Sequence, residues 1–61
     1  MSAAYERPVQ TAPAEYEHDG ETGEAVRMIE HFRQGERFYR IVWDLTGGAD
    51  SQVIDEPPPN T

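Results

Sequence analysis

Residues 25–45 read AVRMIEHFRQGERFYRIVWDL, and the periodicity of this stretch decides the fold. Its second half gives the plainer reading. From Phe38 to Leu45 the chain is aromatic and β-branched, a composition that fits a pleated, half-buried surface. Within it Tyr39, Ile41, Trp43 and Leu45 recur at the two-residue period of one strand face. The first half admits two periods. At about 100° per residue Ala25, Val26, Met28, Ile29 and Phe32 gather on one side of a helix, with Gly35 where a left-handed terminator belongs. Read as a strand, the same segment folds back through a turn centred on Gln34-Gly35. Phe32 then pairs with Arg37, Glu30 with Tyr39, Met28 with Ile41 and Val26 with Trp43, all on one face.

The strand reading is preferred. A helix would place Gly23 in or beside its first turn, at a cost of about 1 kcal/mol against alanine. The strand instead sets its apolar residues against a row that Phe38–Leu45 defines independently. It also puts Glu30 on the apolar face, which is tolerable near an edge or with Arg37 as a diagonal partner. Downstream, a turn at Gly47-Gly48-Ala49-Asp50 precedes a short strand carrying Val53 and Ile54, and Pro57-Pro58-Pro59 ends any strand at Glu56. The expected fold is therefore a small all-β antiparallel meander of three strands, 25–33, 37–45 and 52–55, with an extended acidic amino-terminal arm. The alternative is an α+β chain, helix 24–34 followed by a β-hairpin.

Charge divides the chain in the same places. Residues 1–24 set Arg7 against Glu6, Glu15, Glu17, Asp19, Glu21 and Glu24, and residues 44–61 carry Asp44, Asp50, Asp55 and Glu56 with no base. The centre holds Arg27, Arg33, Arg37 and Arg40 against Glu30 and Glu36. Two acidic segments thus flank a mildly basic one. Residues 1–24 are poor in large apolar side chains and contain Pro8 and Pro13, so this arm is expected to be extended or disordered in isolation. Residues 25–56 form the folded part and residues 57–61 a Pro-rich tail.

With 61 residues the chain forms one domain at most, and a chain of that size buries only about 60% of its unfolded surface. It has no cysteine, so neither disulfides nor thiolate-held metal can add stability. The apolar side chains between Ala25 and Asp55 are too few to make the fold comfortable alone. A partner, or a second copy, is the expected remedy.

All five basic residues are arginine, a bias that genome composition accounts for more simply than function does. The start of the chain, Met1–Gln10, is polar and lacks the apolar run of a secretory signal. The longest apolar run, Ile41-Val42-Trp43, is far short of the roughly 20 residues a membrane helix needs. A cytoplasmic protein without membrane contact is expected.

Chemistry-bearing patterns are sparse. His18, Asp19 and Glu21 carry donor atoms for a divalent cation, but no second histidine follows at helical spacing, and a solvated acidic loop is the simpler reading. His31 reads as a polar-face residue. Gly20, Gly23, Gly47 and Gly48 match no phosphate-loop spacing and read as turn glycines. Thr11, Thr46 and Ser51 have no evident base partner. No catalytic residue, metal or cofactor is assigned, and no enzyme is expected. A net charge of −7 opposes direct nucleic-acid binding, although the arginines do interleave with aromatics as in single-strand stacking surfaces.

The function expected is a small acidic protein-binding regulator or inhibitor that meets a basic surface, such as the nucleic-acid channel of a larger protein. Its candidate contact residues are Glu15, Glu17, Asp19, Glu21, Glu24, Asp44, Asp50, Asp55 and Glu56. A structural accessory subunit or homodimer assembling through strand edges is the alternative.

Overall fold

The computed structural model describes residues 5–48 and 50–59. The parts of the expected arm, turn and tail that fall on residues 1–4, 49, 60 and 61 lie outside them. The described chain is all β, one antiparallel sheet of five strands: β1 (Val9–Gln10), β2 (Glu15–His18), β3 (Ala25–Gln34), β4 (Arg37–Asp44) and β5 (Asp50–Glu56). Strands β3, β4 and β5 form the meander that the sequence pattern predicts. The helical alternative for 24–34 is overturned: β3 is paired along both edges, with β4 on one side and β1 and β2, one after the other, on the other. The strand bounds differ slightly from expectation, since β3 continues to Gln34 and β5 runs from Asp50 to Glu56. Leu45 falls just outside β4, although its N–H still donates to the Val26 carbonyl at 3.1 Å.

The β3–β4 register is offset by two residues from the expected one. Gln34 lies opposite Arg37, Phe32 opposite Tyr39, Glu30 opposite Ile41 and Met28 opposite Trp43. The turn is centred on Gly35-Glu36, and its backbone explains why. Gly35 has φ +62° while Glu36 does not enter the positive region, the signature of a type II′ turn with glycine first. That turn closes the hairpin in two residues, whereas a turn on Gln34-Gly35 would leave the glycine at the wrong position. A two-residue offset keeps every side chain on its face and changes only its neighbours.

Register and alternation assign the faces. One face carries Tyr16, Met28, Glu30 and Phe32 with Tyr39, Ile41, Trp43 and Val53; the other carries Glu15, Glu17, Arg27, His31, Arg40 and Glu56 over Ile29, Val42 and Ile54. Nothing in the described chain forms a second layer over either face. Among the described residues Tyr39 is accordingly the one buried hydrophobic residue, 7% exposed, and it is covered from within the sheet. The Phe32 ring directly opposite stacks on it at 5.7 Å, and the Arg37 guanidinium sits 4.7 Å from its ring centre.

The amino-terminal arm is extended and adds two strands to the sheet. Tyr16 lies opposite Met28, and the Gln34 amide donates to the Glu6 carbonyl at 3.0 Å, drawing the chain ahead of β1 toward the β3–β4 turn. Pro13 falls between β1 and β2, where no ladder bond is needed.

Candidate protein-interaction surface

The nine carboxylates singled out by charge do not form one patch. Antiparallel order brings the β2–β3 turn and the β4–β5 loop to the same end of the sheet, and with them Asp19, Glu21, Glu24, Asp44 and Asp50. Glu17 is close by, opposite Arg27, the lone basic residue of that end among those described. Asp44 and Asp50 lie directly opposite one another, a like-charge pairing that disfavours the fold locally and keeps that end acidic. The other end, with the Gly35-Glu36 turn, carries Arg7, Arg33, Arg37 and Arg40 against Glu6, Glu36, Asp55 and Glu56, and is neutral in sum. The chain that reads as two acidic flanks and a basic centre folds into a sheet with one acidic end.

Several carboxylates of this set are already engaged. Glu17 takes a 2.6 Å hydrogen bond from Arg27, and Asp55 one of 2.8 Å from Arg37. Across the polar face, Glu15 lies 3.4 Å from His31 Nε2, Glu56 lies 3.1 Å from His31 Nδ1, and Arg40 donates to Glu56 at 3.1 Å. These four side chains link β2, β3, β5 and β4 in one chain of polar contacts. In its protonated form His31 donates to both carboxylates, one on the arm and one at the end of β5. His31 is the residue that sequence reasoning missed, because nothing in its local pattern shows that two acids distant in sequence converge on it.

Asp19 and Asp44 act on the backbone. Asp19 Oδ1 accepts the N–H groups of Glu21 and Thr22 at 2.7 and 3.1 Å, which ties the β2–β3 turn. Asp44 Oδ1 accepts the hydroxyl and N–H of Thr46 at 2.6 and 2.9 Å. Glu21, Glu24 and Asp50 remain exposed and accept no side-chain bond recorded among the described residues.

The apolar face presents a different chemistry. Glu30 sits in its middle, between Met28 and Phe32 along β3, and its Oε1 accepts the Trp43 indole N–H at 2.8 Å. Arg37, the partner expected for Glu30, is turned to Tyr39 and Asp55 instead. Tyr16 and Val53, at 53% and 54% exposed, flank this face on β2 and β5. Shallow depressions of about 480–520 Å³ lie among the described residues; of the two that touch His31, one is lined by charged side chains including Glu17, Arg27 and Arg40 over Ile29, Val42 and Ile54, and the other is largely apolar, with Ala12, Phe32, Phe38, Pro57 and Pro59 beside Glu15 and Glu56. Among the described residues, no group of three or more His, Asp or Glu side chains converges as metal ligands.

No family model, curated protein or solved structure matches the chain. Its function is therefore read from the sheet itself.

The hydrogen bonds of this surface predict an acid response. The hydrogen bond from His31 holds the Glu56 carboxyl below its ordinary 4.5; burial, next in size, pushes it up, and the Arg40 hydrogen bond adds to the lowering. The Glu21 and Thr22 N–H groups hold Asp19, and the Thr46 hydroxyl and N–H hold Asp44, below the ordinary 3.8. A carboxyl whose folded pKa is depressed contributes stability above its unfolded pKa and loses it as pH falls through the folded value. The melting temperature is thus expected to drop as pH falls below about 4, and Glu56→Gln should flatten part of that drop. An identical acid profile for the variant would show that Glu56 contributes nothing.

Proposed function

We propose that the chain is a non-enzymatic, cytoplasmic protein-binding regulator that meets a larger protein with a basic surface through the acidic end of its sheet. The observation that carries the class of function is the single layer. Among the described residues the sheet has one buried hydrophobic side chain and no enclosed, water-excluding cleft in which to run chemistry, and both of its faces are open to contact. The partner's charge follows from the end where most of the net negative charge collects. Glu21, Glu24 and Asp50 project there with Asp19 and Asp44 fixing the loops that carry them. Such a concentrated field speeds association with a basic surface and selects against acidic ones. Among the described residues no helix is long and apolar enough to cross a membrane.

The test is capture of proteins from the native cell extract on the immobilised chain, with elution by a salt gradient. Basic proteins should be retained by the wild type, released by moderate salt, and lost on Glu21→Gln/Glu24→Gln/Asp50→Asn, which leaves the Asp19 and Asp44 turns intact. Equal retention by wild type and triple variant would refute the acidic end as the contact.

A further inference from the structure

The apolar face lies apart from the acidic end, and its composition identifies its occupant. We infer that this face packs against the same face of a second copy, closing a two-layer β-sandwich dimer. The inference rests on the reading that the chain works through protein contacts, and it assigns the surface which that reading leaves open.

Three observations converge on a second copy. The first is area: the chain exposes 5030 Å², whereas a folded monomer of 6.9 kDa is expected to expose about 4,000 Å². The excess of about 1,000 Å² belongs to the whole chain, and the roughly 800 Å² that each partner contributes to a standard stable interface falls within it. The second is charge. On the apolar face Arg37 and Asp55 neutralise one another, which leaves Glu30 as the one uncompensated charge of that face among the described residues. Two copies stacked face to face keep Glu15, Glu17, Arg27, Arg40 and Glu56 on the outside. A two-fold axis perpendicular to the strands also places the acidic end of each copy over the arginine-bearing, neutral end of the other, which keeps the two acidic ends apart and lessens the repulsion between two chains of charge −7.

The third observation concerns the competing route. Of the sheet's two open edges, β1 and β2 offer strands of only two and four residues, and on the longer edge, β5, antiparallel self-pairing about Val53 would set Asp50 against Glu56, with Pro57 beyond. Charges and proline at an edge oppose such pairing. Stacking needs none of those groups. The row of Tyr16, Met28, Phe32, Ile41, Trp43 and Val53 would face the same row of the other copy, run in reverse, across about 10 Å, the spacing at which two sheets interdigitate.

Sedimentation equilibrium of the full chain between about 1 and 100 μM tests this. The wild type is expected at twice the 6.9 kDa monomer mass. Val53→Glu, at an exposed position of the apolar face, should be monomeric throughout with an unchanged β-sheet circular dichroism spectrum. Gln52→Glu, on the same edge strand but the opposite face, should remain dimeric. Glu30→Gln keeps an acceptor for the Trp43 indole and removes the charge from the interface, so it should tighten the dimer at least tenfold, and this holds even if Val53→Glu fails to fold. A wild type that stays monomeric at 100 μM would overturn the inference, as would a Glu30→Gln variant no tighter than wild type. Loss of the dimer in Gln52→Glu would overturn the face in favour of the edge. If the chain is monomeric yet still captures basic proteins in a salt-sensitive way, only the dimer falls; if it dimerises and captures nothing, only the regulatory reading falls.

Discussion

Tyr39→Ala should leave no folded chain at 25 °C. Among the described residues Tyr39 is the one hydrophobic side chain that the sheet buries, and it is held on two sides, by the Phe32 ring and by the Arg37 guanidinium. Truncating a buried aromatic costs about 3–5 kcal/mol. A core in this size range rarely supplies more than about that amount in total. The variant is therefore expected to show a random-coil circular dichroism spectrum and collapsed amide dispersion by NMR. Tyr39→Phe, which keeps the stacked ring, should stay folded. Native-like dispersion in Tyr39→Ala would mean that the sheet is held by its ladders and ion pairs and not by this cluster.

The second large effect is expected at Trp43, where area and hydrogen bonding separate. Trp43 lies opposite Met28 and donates its indole N–H to Glu30 in the middle of the apolar face. Trp43→Ala removes the ring and leaves the carboxylate without its donor, for a loss of about 3 kcal/mol or more. Trp43→Phe retains most of the ring and loses only the N–H; a bond to a charged acceptor contributes about 1.5–3 kcal/mol. Urea unfolding of Trp43→Phe, Glu30→Leu and the double variant isolates the pair. The expected coupling is about 1–2 kcal/mol, so Trp43→Phe should cost far less once Glu30 is gone. Additive losses would show that the indole and the carboxylate do not depend on each other.

Much of the central meander is legible residue by residue. Tyr39, Ile41 and Trp43 announce a strand face by their spacing, and Val26, Met28 and Phe32 can be set on the same face without knowing the register, because a hairpin slip of two residues does not move a side chain across the sheet. The register itself was not legible. It depends on whether Gly35 stands first or second in the turn, a backbone choice that the strand pattern does not encode. The arm was legible as extended but not as part of the sheet. Val9-Gln10 and Glu15–His18 carry too little apolar periodicity to read as strands, and they become strands because β3 offers them an open row of backbone donors and acceptors.

The candidate contact residues divide along the same line. Acidity is a property of composition, and residues Glu21, Glu24 and Asp50 could be singled out from it. That Asp19 and Asp44 spend their oxygens on turn backbones, and that Glu15 and Glu56 both reach His31, depends on distances between segments far apart in the chain.

The sequence by itself determined that the chain is β-structured in its centre, acidic in sum and short of core, since alternation, charge count and the number of large apolar residues are local quantities that survive any arrangement. Tertiary structure decided that Glu17, Asp19, Glu21 and Glu24 of one acidic flank meet Asp44 and Asp50 of the other at one end, because antiparallel pairing returns the β2–β3 and β4–β5 connections to the same side. It also decided that the apolar residues lie on one open face of a single layer: sheet pairing satisfies the backbone of every strand it joins but covers no face, and no segment of the described chain remains to cover this one.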